Sequence, residues 1–115
     1  MTIKIDWNKP REDLEWDIAQ AFGWTKDKDG RNVAPNGLVY RQFQSCPWMR
    51  ITHDFQCALN FSKTLEISPA LVFEINSGTV TLNAPRKGGD GFISHKEENP
   101  ALALIKTIVE YHFDS

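Results

Sequence analysis

The fifteen residues ALVFEINSGTVTLNA, positions 70 to 84, leave this chain little freedom of fold. Leu71, Phe73 and Ile75 alternate with polar or smaller neighbours, and Val80 and Leu82 do the same after Asn76-Ser77-Gly78. A period of two predicts strands, and the Asn-Ser-Gly connection predicts a tight hairpin between them. Each strand offers an apolar face, so both are expected to lie on a core. The segment GFISHK at 91–96 reads as a third strand, joined through the loop 86–91. Connections this short exclude crossover helices and require antiparallel pairing.

Helical periodicity brackets that sheet. In NKPREDLEWDIAQAFGW, Asn8 is the expected cap and Pro10 a first-turn residue, while Glu12, Asp13 and Glu15 put negative charge near the helix N-terminus. Leu14, Ile18, Ala21 and Phe22 form a core stripe, and Gly23 should end the helix. A second helix is expected just after Ile51, capped by Thr52 or His53, carrying Phe55, Ala58, Leu59 and Ser62 at helical spacing and running to about Thr64. Ser68-Pro69 then breaks the chain. Asn99-Pro100 starts a last helix with a stripe of Leu102, Ile105, Ile108, Val109 and His112. Between Trp24 and Arg50, turn chemistry occurs at Asp29-Gly30 and Asn36-Gly37, with extended structure expected around Leu38 to Phe43. The expected fold is therefore α+β: a single domain over 1–115, with an antiparallel sheet of three or four strands flanked by three helices, sandwich-like, in the order α-α-β-β-β-α.

At 115 residues and 41% hydrophobic, the chain can bury one modest core. A net charge of −2 gives no basic footprint, so direct nucleic-acid binding is not expected. No run reaches the roughly 18 to 20 apolar residues of a membrane span, and MTIKIDWNKPRED lacks a secretory signal. A soluble protein of the cytoplasm is expected, with Cys46 and Cys57 as thiols.

The order of landmarks carries a resemblance. Gly23-Trp24 closes the first helix, Ala34-Pro35-Asn36-Gly37 follows, Pro47 precedes RITHDFQCALNF, and a glycine-bearing strand leads through ENPALALIKTIVEYH. Together these resemble the phage ABA sandwich domain family of small phage and prophage proteins. Members commonly carry a Ser/Thr-Asp-Ile-rich start to the second helix, where this chain has Thr52-His53-Asp54-Phe55. The resemblance implies a sheet flanked by helices and a phage or prophage origin, hence a bacterial host cytoplasm. It supplies no catalytic residues.

Chemical motifs are sparse. His53 and Cys57 stand four apart, with Cys46 upstream, yet no CxxC pair or second close histidine completes a metal site. Asp27-Lys28-Asp29-Gly30 is only a fragment of a calcium loop. Cys46 or Cys57 could be paired with His53, His95 or His112, but no spacing selects a dyad. An enzyme is not expected, nor a cofactor or metal.

Aromatics are more informative, because Trp7, Trp16, Trp24 and Trp48 all lie in the first half. Trp24 is expected in the core. Trp16 points away from the Leu14 and Ile18 stripe, among Glu12, Asp13 and Asp17, as an interface anchor with an acidic rim would. The leading functional expectation is a non-enzymatic, phage-type protein that binds a host protein through these residues and inhibits or redirects it, in host takeover or anti-defence such as anti-CRISPR activity. The target could be a nucleic-acid-binding defence component, since carboxylates can stand where phosphates would lie. The alternative is a small-ligand or nucleotide-binding protein that uses Arg86, Lys87, Gly88 and Gly89 of the loop ending at Gly91, with Trp48 stacking on a base. A strand follows those glycines rather than a helix, which favours a hairpin turn over a phosphate cradle. A third reading is a structural oligomer paired through exposed sheet edges.

Overall fold

The computed structural model describes residues 4–40, 49–65 and 70–113. Among the described residues, three helices, α1 (Arg11–Ala21), α2 (Phe55–Lys63) and α3 (Pro100–Phe113), accompany six strands. The strands are β1 (Thr25–Lys26), β2 (Asn32–Val33), β3 (Val39–Tyr40), β4 (Val72–Asn76), β5 (Thr79–Pro85) and β6 (Phe92–Glu97). They form two antiparallel three-stranded sheets, β1-β2-β3 and β4-β5-β6. The α+β class stands, but the order α-β-β-β-α-β-β-β-α replaces the expected α-α-β-β-β-α. The small first sheet escaped the sequence reading because strands of two residues are too short to show a period. Of the extended structure expected over 38–43, Val39–Tyr40 is β3, and 41–43 lie outside the described residues, as do Cys46, Pro47, Trp48 and the Ser68-Pro69 break.

Helix α3 is the centre of the molecule. Ala101, Ala103, Leu104, Ile105, Thr107, Ile108, Val109 and Tyr111 are all buried, a wider belt than the single stripe the sequence suggests. Residues buried on nearly every side of a helix require neighbours on nearly every side. The second sheet covers one flank through β5 and β6, and α2 packs on another. One apolar cluster joins Leu104, Ile105 and Ile108 of α3 to Leu82 of β5, Ala58 and Phe61 of α2, and Leu14, Ile18 and Ala19 of α1. Trp24, buried as expected, belongs to it and stacks obliquely on Tyr40, centroids 5.4 Å apart.

The caps differ from the expected ones. Helix α2 is capped by Asp54, not Thr52 or His53, and its carboxylate accepts from the Cys57 N–H at 3.1 Å. Thr52 and His53 are drawn to α1 instead. At the start of α1, Pro10 is the N-cap residue and no side chain caps it; the Asn8 N–H donates to Asp6. The Asn99 cap of α3 forms, with Oδ1 accepting from the Ala101 N–H at 3.0 Å. Along α1, Ala21 and Phe22 are half-buried, whereas Ala19 and Glu15 are fully so. Phe22 still packs edge-to-face on Phe61, with ring centroids 5.4 Å apart. Gly23 follows the helix at φ +97°, a conformation that side chains resist.

The largest departure lies at β4. Phe73 pairs with Leu82 and Ile75 with Val80, so these apolar residues do share the core-side face. Yet α3 lies over β5 and β6, and β4 at the sheet edge is exposed along its whole length, with Ile75 81% accessible. Phe73 gains only an edge contact with Phe55, centroids 5.6 Å apart. Alternation told which face was apolar but not whether a helix was wide enough to reach it.

Truncating the centre and the edge should therefore differ sharply. Ile108→Ala is expected to cost about 2–5 kcal/mol and Ile75→Ala less than about 0.5 kcal/mol in urea unfolding.

Candidate functional site

The five acidic or aromatic residues between Glu12 and Asp17 on α1 meet different fates, because a helix turns about 100° per residue. Glu12 and Asp13 remain on the surface, and the Glu12 side chain is 88% exposed. The guanidinium of Arg11 lies 3.9 Å from Glu12. Glu15 turns inward and is buried. Trp16 is half-buried against the core cluster, and the Lys26 ammonium sits over its ring at 5.0 Å. Asp17 is engaged by Lys9 Nζ at 2.6 Å, and that hydrogen bond raises the lysine pKa above its ordinary value. The structure thus keeps Glu12 and Asp13 as accessible carboxylates beside a partly covered Trp16.

Glu15 has a role that the sequence reading did not disclose. It reads as a dipole-complementing charge, but its Oε2 accepts from both the N–H and the hydroxyl of Thr52, at 3.0 and 3.1 Å. Its Oε1 lies 3.4 Å from Arg11, and its Oε2 3.6 Å from His53 Nδ1. Arg11 also approaches the His53 ring at 3.3 Å. Asn99 Nδ2 completes the junction by donating to the Thr52 carbonyl at 2.7 Å. One carboxylate therefore fastens α1 to the turn before α2, and that turn is fastened to the start of α3. A buried charge needs such partners. No period in the sequence marks this role.

The same cluster holds His53, Asp54 and Cys57, the residues nearest to a catalytic or metal-ligating set. His53 precedes α2 rather than sharing its face with Cys57. Burial pushes the Cys57 thiol above its usual pKa, with the Asp54 charge reinforcing it, which disfavours the thiolate a nucleophile or ligand needs. Among the described residues, no group of three or more His, Cys, Asp or Glu is placed to hold a metal ion. His95 and His112 lie elsewhere, on β6 and α3.

The loop after β5 closes as a turn. The Gly89 N–H donates to the Arg86 carbonyl at 2.9 Å, and the Arg86 N–H donates to the Gly91 carbonyl at 3.0 Å. Gly89 and Gly91 adopt φ of +81° and +93°, so these glycines serve the chain reversal. The cations fold back on α3: Arg86 reaches Glu110 at 3.7 Å, and Lys87 lies 5.8 Å from the Tyr111 ring centre. Glu110 also faces His95 at 3.6 Å. The two cations of the alternative site are thus turned toward the protein itself.

The Asp27-Gly30 turn is likewise self-contained. Asp27 Oδ1 accepts from the N–H groups of Asp29 and Arg31, both at 2.9 Å, while Oδ2 pairs with Arg31 Nε at 2.8 Å. The Arg31 backbone N–H, aided by its side chain and the Asp29 N–H, holds the Asp27 carboxyl below its ordinary pKa. No helix among the described residues is long and apolar enough to cross a membrane. Compared with family models, curated proteins and solved structures, the chain finds no match.

Two outcomes test this geometry. Glu15→Ala should cost about 1–3 kcal/mol by leaving the Thr52 donors unpaired, against less than about 0.5 kcal/mol for the exposed Glu12→Ala, both read from denaturant midpoints. For Asp27, a folded pKa below the unfolded one means that its contribution is present above the ordinary carboxylate range and fades as pH falls through the depressed value. Asp27→Asn should therefore lower the melting temperature at pH 7 and converge with the parent in strong acid.

Proposed function

We propose that this is a small non-enzymatic protein, phage-type as its sequence resemblance implies, that acts in the bacterial cytoplasm by binding a host protein and inhibiting or redirecting it. Anti-defence activity, of which anti-CRISPR inhibition is one form, is the role that reading favours. The observation that supports it over ligand capture is the division of charge. Glu12 and Asp13 stay accessible on the first turn of α1, whereas Arg86 and Lys87 are directed at Glu110 and Tyr111.

Accessible carboxylates beside an aromatic suit a basic protein surface, including one that otherwise receives nucleic acid. Trp16 supplies contact area from a ring already held by the core and Lys26, so little side-chain freedom is lost on binding. A nucleotide would instead have to draw Arg86 and Lys87 away from α3 before using them. That requirement makes the nucleotide reading the weaker one.

The test is capture of partners from bacterial lysate with the parent chain and two variants. Glu12→Lys combined with Asp13→Lys should reduce partner recovery at least about tenfold, the effect of about 1.4 kcal/mol, while Arg86→Ala combined with Lys87→Ala should leave it unchanged. The opposite pattern, together with a nucleotide-dependent rise in melting temperature, would establish the ligand reading instead.

A further inference from the structure

From the outer edge of β4 we infer that the protein pairs with a second copy of itself by antiparallel strand addition centred on Phe73. This goes beyond the host-protein reading and uses a different surface. Among the described residues β4 pairs only with β5, and its Val72, Phe73 and Ile75 are all exposed. No proline or lysine interrupts it, and Glu74 is its one charge. Edges lacking such guards are templates for another strand.

The backbone settles which groups face outward. Asn76 pairs with Thr79 across a two-residue connection, so that closing pair is hydrogen-bonded to β5. Alternation makes Glu74 with Thr81 and Val72 with Asn83 the next bonded pairs. The opposite flank of β5 agrees, because Arg86 donates to Gly91 and the alternate positions Ala84, Leu82 and Val80 then bond to β6. The N–H and C=O groups of Phe73 and Ile75 consequently point away from the sheet.

Two antiparallel copies related by a two-fold axis keep the same face of the sheet only if the axis passes through a residue. An axis at Glu74 sets carboxylate against carboxylate. An axis at Ile75 leaves Phe73 opposite Ser77. An axis at Phe73 sets Phe73 against its own copy, Leu71 against Ile75 and Val72 against Glu74. All three face outward-bonding positions with one another, but only the last both separates the two charges and leaves Leu71, Phe73 and Ile75 each opposite an apolar residue. Cross-strand apolar pairs stabilise and opposed like charges do not. The joined strip continues the face on which α3 packs, and it covers the side chains that α3 fails to reach. A contact made by one five-residue strand is smaller than the roughly 1,200–2,000 Å² of stable complexes, so the dimer is weak and reversible.

Sedimentation velocity from micromolar to millimolar protein tests this. The parent should pass from monomer to dimer, and Ile75→Lys should weaken dimerisation at least about tenfold while leaving circular dichroism and melting temperature intact, since a lysine guards an edge without touching the core. Register is read by mild oxidation in a background with Cys46→Ser and Cys57→Ser. Val72→Cys combined with Glu74→Cys should give covalent dimer, and Glu74→Cys alone should not. A parent that stays monomeric throughout, a dimer indifferent to Ile75→Lys, or efficient cross-linking by Glu74→Cys alone would each overturn the proposal. None of these variants alters Glu12 or Asp13, so failure here is distinct from failure of the host-binding reading.

Discussion

Burial of α3 on nearly all sides is the constraint from which the remaining structure follows. A helix with Leu104, Ile105, Ile108 and Val109 inward on several flanks cannot be satisfied by one sheet alone. The sheet β4-β5-β6 takes one flank, and α2, with the α1 residues of the shared cluster, takes others. Ala101 and Ala103 keep the helix narrow where neighbours approach, and the buried Thr107 hydroxyl is answered by the Ala103 carbonyl at 2.8 Å. Polar ties at the margins then hold the neighbours in place: Lys106 pairs with Glu97 at 2.6 Å, and Glu110 meets both Arg86 and His95. Such marginal pairs fix orientation more than they add stability.

This arrangement also decides where chemistry is left over. Most of the charged groups that looked available in the sequence are consumed in joining elements: Glu15 and His53 at the helix junction, Asp27 in its own turn, Arg86 and Lys87 against α3. The features that stay outward include an acidic first turn on α1 and an apolar strand at the sheet edge. The first leaves carboxylates facing solvent, and the second leaves a strand edge that no strand among the described residues pairs.

The sequence disclosed elements whose signal is local and repeated. The hairpin over Val72–Pro85 follows from alternation and an Asn76-Ser77-Gly78 connection, of which Asn76 is the last residue of β4, and α3 follows from the Asn99-Pro100 start and its apolar spacing. It did not disclose the first sheet, whose two-residue strands carry no period, nor the choice of Asp54 over Thr52 as a cap. That choice depends on Glu15, 37 positions earlier, claiming Thr52 across space. The site residues divide the same way. That Trp16 lies off the Leu14 and Ile18 stripe was a wheel argument, but how far it would be covered depended on Lys26 arriving from another element. The exposure of β4 likewise depends on how far α3 extends across the sheet, a tertiary quantity.

The most direct test of α3 as the organising element is residue-resolved amide hydrogen exchange at dilute concentration. Amides from Leu104 to Val109 should exchange only through global unfolding, together with those of Leu82 and Ala84 in β5. The outward amides of Phe73 and Ile75 should exchange without protection. Exchange of the α3 amides through openings smaller than global unfolding, or protection of Phe73 and Ile75 equal to that of β5, would contradict the account.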